Sequence, residues 1–191
     1  NDLWGFGRRP IQGERPEDVE KSMIYQIGAI QAMATSLSME VTHFKAHGSL
    51  NNMASVDEGL ATATARAVKA VDPTLLFVVM PGSELEKAGE KLGLRCAREI
   101  FADRAYDDDG MLVSRKIDGS MIHDLDIAVP RIVQFVQEGA LTSVSGKKIP
   151  VAIDTICVHG DNPAGVAMAG QMRDALSAAG VNIQPMAKTL A

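Results

Sequence analysis

The sequence is poor in sulfur chemistry and has no basic excess. Two cysteines, Cys96 and Cys157, occur in 191 residues, far apart and each in an apolar-rich segment. That excludes a disulfide scaffold and predicts a reduced, cytoplasmic setting. The formal net charge is −5 and the pI about 5.4. The electrostatic footprint of a general nucleic-acid or membrane-surface binder is therefore missing, and neither partner is expected. No apolar run approaches the ~20 residues that span a bilayer; the longest, "TLLFVVM" at 74–80, has the length of a strand. The chain also lacks G-x-x-x-x-G-K-[ST], a strand-following G-x-G-x-x-G, H-E-x-x-H, C-x-x-C and G-x-S-x-G. His43, His47 and His159 have the chemistry of metal ligands, but their spacing declares no metal site and leaves metal use open.

What remains is ordinary soluble-protein material: 46% hydrophobic and 23% charged residues, enough for one domain with a substantial core. The chain opens, without Met, on "NDLWGFGRRP", an aromatic, Gly-rich, doubly basic loop. This start predicts a chain entered in mid-fold.

From residue 15 onward, helical and strand patterns alternate. Pro16 and Glu17 open a helix with apolar positions Ile24, Ile27, Ile30, Ala34 and Leu37. A strand is expected over 41–46, then a helix to about Val71 capped by Ser55 with Glu58. "TLLFVVM" reads as a strand covered on both faces. Ser83 with Glu86 caps a short helix ended by Gly93, and 94–103 supplies another strand. Residues 104–122 form an excursion with a hairpin at Asp109-Gly110. A helix follows over about 126–137, with Pro130 in its first turn and Gly139 after it. A strand over 151–158, a helix from Asn162-Pro163 to Gly180 and a last strand over 181–184 complete the pattern. Such alternation predicts a parallel α/β sheet, open or closed into a barrel, with chemistry at the carboxyl ends of its strands.

Polar residues fall at those ends. Lys45 and His47 close the first strand, Glu99 and Asp103-Arg104 the third, and His159-Gly160-Asp161 the fourth. Strand alternation puts His43, Lys45 and His47 on one face and Thr42, Phe44 and Ala46 on the other. A basic face on a core strand is either a structural ion pair or a ligand crevice. The crevice is favoured, because a buried charge without a role is costly. His159 shares a face with Cys157, although i and i+2 strand neighbours make a poor nucleophile pair, and Asp161 reads as an N-cap as well. Arg8, Arg9, Arg104 and Arg115 add guanidinium forks suited to carboxylate or phosphate. The residues alone predict an α/β enzyme acting on a small anionic substrate.

Taken in order, "GFGRR", "YQIGAI", "KAHGSLNN", "EIFADRAY", "LVSR" and "ICVHGD" resemble the LamB/YcsF family, the A subunit of bacterial ATP-dependent 5-oxoprolinase. The resemblance runs from Gly5 to about residue 185. It implies a seven-stranded (β/α) barrel of the polysaccharide-deacetylase type, with residues 1–191 as a single domain lacking its N-terminal strands. It implies opening of the lactam of 5-oxo-L-proline to L-glutamate with hydrolysis of ATP as co-substrate, together with the 5-oxoprolinase B and C subunits. An edge left open by missing strands predicts association with another chain, a homo-oligomer included. The family's "KPHGALYN" reads "KAHGSLNN" here, retaining Lys45, His47, Gly48, Leu50 and Asn52 while Ala46, Ser49 and Asn51 depart. The expected catalytic set is Lys45, His47, Glu99, Asp103 and His159. The expected substrate-binding set is Arg8, Arg9, Asn52, Arg104, Arg115 and Asp161.

Two other readings compete. Fold analogy suggests a metal-dependent, deacetylase-like hydrolase in a carbohydrate metabolic process, and fold alone is a weak warrant. A non-catalytic scaffold for the B and C subunits is opposed by the polar residues at the strand ends.

Overall fold

The computed structural model describes Gly7, Arg9, residues 13–160 and residues 163–190, in two compact units, residues 1–97 and 98–191. Both are α/β, and each contains a parallel strand pair.

The first unit opens with α1 (Pro16–Ser36), which has proline in its first turn beside Glu17 and Asp18, as an N-terminus favours. Its buried stripe is Val19, Met23 and Ile27. Of the apolar positions with helical spacing only Ile27 is buried; Ile30 and Leu37 are 61% and 68% exposed. The helix is apolar on several sides, so periodicity did not single out the face that meets α3. Its end is a Schellman motif: Met39 N–H donates to the Ala34 carbonyl and Ser38 N–H to that of Thr35, with Ser38 at φ 55°.

Strand β1 (His43–Lys45) pairs in parallel with β2 (Leu76–Val79), placing Phe44 opposite Phe77 with stacked rings 6.0 Å apart. The crossover carries α2 (Gly48–Ala54) and α3 (Glu58–Val71). Asp57, not Ser55, caps α3, accepting from Leu60 N–H at 2.9 Å. Ser55 closes α2 instead, donating to the Asn51 carbonyl, because α2 occupies the sequence just before the expected cap. β2 is buried throughout, as its continuous apolar run required. Helix α4 (Glu84–Lys91) starts at Ser83, whose hydroxyl accepts from Glu86 N–H. Gly89 lets α4 approach the strands: a Cβ there would stand 2.6 Å from Cys96 Sγ and 2.8 Å from the Phe77 ring.

Strand β3 (Cys96–Phe101) begins in the first unit and continues into the second, where it pairs in parallel with β6 (Thr155–Cys157). The excursion after β3 folds back through the antiparallel bridges Arg104↔Met121 and Tyr106↔Leu112, around a turn at 107–110. Helix α5 (Leu125–Glu138) is capped by Asp124 and stopped by Gly139; Pro130 lies in its second turn, not its first. Strands β4 (Ala140–Thr142) and β5 (Lys148–Pro150) form an antiparallel hairpin. The single strand expected over 151–158 is therefore shorter, and its approach belongs to this hairpin. Helix α6 (Pro163–Ala178) packs on α5. Residues 181–184 are not a strand: Val181 N–H donates to the Leu176 carbonyl in a second Schellman cap, with its side chain against the core. The chain then enters α7 (Met186–Thr189). Ile100, Tyr106, Ile132, Phe135, Met168 and Met172 are central to the core of this unit.

Candidate functional site at the ends of β3 and β6

The register of β3 and β6 builds the site. Phe101 stands opposite Cys157. Two residues past the end of each strand come Asp103 and His159, and their side chains meet: His159 Nδ1 lies 2.8 Å from Asp103 Oδ2. Alternation sends Ile100, Ala102, Ile156 and Val158 into the core. The intervening Glu99, Phe101 and Cys157 share the face that leads to the pair. Glu99 is only 8% exposed. A carboxylate can only accept, so Nδ1 carries the hydrogen and Nε2 is left as the basic nitrogen. Asp103 Oδ1 is buried without a hydrogen-bond partner among the described residues.

Arg104 adjoins this pair and is 5% exposed. Its Nη2 donates to the Val113 carbonyl at 2.6 Å, while Nε is buried without a partner among the described residues. Burial, and next the positive charge of Arg115, pull this guanidinium below its ordinary pKa; Asp103 opposes them. Arg115, itself exposed, is thus electrostatically coupled to Arg104.

Two further residues hold the segment between β3 and the excursion. Tyr106 Oη accepts from Phe101 N–H at 2.7 Å, and burial pushes this phenol far above its ordinary pKa. Arg131 on α5 donates from Nη2 to the Arg104 carbonyl at 2.8 Å and lies over the Phe135 ring at 4.5 Å. Tyr106 belongs to the quoted "EIFADRAY". Arg131 was missed, since a lone arginine on an amphipathic helix carries no sequence signal.

The remaining expected residues belong to the first unit or lie outside the description. Lys45 ends β1 and is half-buried, His47 is the exposed N-cap residue of α2, and Asn52 is exposed on α2. Arg9 is exposed, two residues after Gly7, whose carbonyl accepts from Ser49 N–H at 2.7 Å. Arg8 and Asp161 lie outside the described residues. A groove of about 300 Å³ on α1 and α3, lined in part by Glu17, Glu20, Glu58 and Arg66, contains none of the expected site residues. Among the described residues no cluster of three His, Cys, Asp or Glu is arranged to hold a metal, and no helix is long and apolar enough to cross a membrane.

The LamB/YcsF family model matches residues 1–191. The chain belongs to the LamB/YcsF family. Among its LamB/YcsF relatives, the A subunit of 5-oxoprolinase from Rhodopseudomonas palustris (strain BisB18) is 51% identical over 186 residues, 97% of this chain and 73% of that protein. The protein of the same name from Natranaerobius thermophilus is 45% identical, over 97% of this chain and 72% of its own length. The crystal structure of the lactam utilization protein from Thermus thermophilus superposes with a TM-score of 0.87 at 40% identity, covering 96% of this chain and 72% of that one. The α/β architecture with parallel strand pairing is thus the family's own.

Proposed function

We propose that this chain acts in the A subunit of an ATP-dependent 5-oxoprolinase, opening 5-oxo-L-proline to L-glutamate with the B and C subunits. The observation that carries the reading is the His159–Asp103 pair beside buried Arg104 at parallel strand ends. It stands in a chain about half identical to proteins named as the A subunit of 5-oxoprolinase.

A five-membered lactam is an unactivated amide. In the proposed course its oxygen takes the terminal phosphoryl group of ATP, and water then adds to the activated carbon. The carbon–nitrogen bond breaks, the nitrogen takes up a proton, and an acyl phosphate remains. A second water releases phosphate and glutamate. Nε2 of His159, oriented through Nδ1 by Asp103, is suited to take the proton of the attacking water and return it to the leaving nitrogen. Arg104 and Arg115 are suited to the substrate carboxylate or the phosphoryl oxygens.

Glu99, and from the first unit Lys45, His47, Asn52 and Arg9, are proposed to act in the same reaction, with Arg8 and Asp161. The same reading makes residues 1–191 part of one seven-stranded (β/α) barrel domain in a cytoplasmic enzyme. The deciding experiment is ATP-dependent glutamate release from 5-oxoproline by the full-length protein, with and without its partner subunits. Release that needs all three subunits and is lost in His159→Ala supports the reading. Release undiminished by His159→Ala sinks it.

A further inference from the structure

Arg131 is a largely buried cation, and no carboxylate among the described residues pairs with it. Its guanidinium lies between an aromatic face and a backbone: 4.5 Å over Phe135, 5.6 Å from the Tyr106 ring centre, with Nη2 donating to the Arg104 carbonyl. Its Nη1 is buried and unpartnered among the described residues. Taking a guanidinium out of water here is unfavourable, and an apolar side chain of similar length would fill the same space without that penalty. What the arginine adds, and a methionine would not, is its cation–ring contact and the directed bond to the Arg104 carbonyl, and only the bond reaches the segment that carries Asp103.

Other bonds already hold this segment. Phe101 N–H is bound by Tyr106 Oη, Ala102 N–H by the Cys157 carbonyl, and Ala105 N–H by the Ser120 carbonyl. The Asp103 carbonyl accepts from Ile122 N–H. Arg131 adds a bond on the carbonyl side of the Arg104–Ala105 peptide, whose N–H already donates to Ser120, and so holds the peptide that follows Arg104, next to the residue that orients His159, from both sides.

We propose that Arg131 is a positioning residue, holding the Asp103 carboxylate on His159 through the Arg104 carbonyl. The inference rests on the proposed role of the Asp103–His159 pair. Misplacement of a reacting group by about 1 Å suffices for losses on the order of 100-fold. Arg131→Met in the full-length protein is therefore expected to fold, with kcat of the reconstituted complex down about 10- to 100-fold and KM for 5-oxoproline little changed. Nitrogen NMR of the 15N-histidine-labelled protein at alkaline pH should show His159 moving from the Nδ1–H tautomer toward Nε2–H. Arg131→Lys, which keeps a donor, should restore part of both signals.

A folded Arg131→Met protein with the original kcat and tautomer would overturn the inference. Failure of that variant to fold would overturn it as well, since the cation would then be needed for packing. His159→Ala separates the two claims. If turnover survives it, the proposed function fails, while the tautomer measurement still judges Arg131 alone.

Discussion

Asp103 and His159 are 56 residues apart in sequence and 2.8 Å apart in space, each two positions beyond a pair in register on β3 and β6. The contact follows from parallel pairing: two strands running the same way end on the same edge, and equal overhangs bring their next outward side chains together. Substitution of either residue should strike the chemical step more than binding. His159→Ala and Asp103→Asn are each expected to lower kcat about 10²- to 10⁴-fold. KM for 5-oxoproline should change little, as measured by glutamate release in the reconstituted full-length complex. In Asp103→Asn the amide nitrogen favours the opposite imidazole tautomer, so geometry is kept and basicity at Nε2 is lost.

Gly89 carries a packing constraint. Gly89→Ala should destabilise the protein by about 1–3 kcal/mol despite the better helix propensity of alanine, because Phe77 and Cys96 cannot both recede. Denaturant unfolding of both proteins measures it, and a more stable alanine variant would show that α4 has room to shift.

The start of α3 gives a local prediction. Asp57→Ala removes the acceptor for Leu60 N–H and should cost about 1 kcal/mol. Ser55→Ala should instead leave amide exchange at Leu60 unchanged, since its hydroxyl serves the Asn51 carbonyl.

Acid should loosen the β4–β5 hairpin. The hydroxyls of Ser143 and then Ser145, followed by Lys147, hold the Asp108 carboxyl below its ordinary pKa. A depressed folded-state pKa gives stability that is present above the unfolded value of about 3.9 and lost as pH falls through the folded one. Amide protection of residues 140–150 should therefore drop as pH is lowered from 5 toward about 3. Asp108→Asn should flatten that dependence.

Legibility in the sequence followed the strength of local signals. The buried run of β2, the Ser83 cap, and glycine stops such as Gly93 and Gly139 each have a single physical solution, and they formed as read. Helix α1 was recognisable but its face was not, because Ile24, Tyr25, Ile30 and Met33 compete with the stripe that packs. Three-residue strands such as β4 and β5 are too short to establish a period, and Val181 imitates a strand while serving a helix cap. At the site, the strand ends marked Asp103 and His159, which meet, whereas Glu99 lies within β3. The hold of Arg131 on the Arg104 carbonyl depends on how α5 packs, which no periodicity encodes.

The hairpins and helix turns of this chain close over a few residues, whereas the carboxylate–imidazole contact must wait for a 56-residue loop to close between β3 and β6. Loop closure of that length is entropically unfavourable until the strands dock, so such contacts form late in folding. The Asp103–His159 contact is thus also a clock. During refolding, the His159 tautomer signal should rise with the last kinetic phase, after helical circular dichroism has recovered. A partly folded chain would carry most of its secondary structure and none of its chemistry.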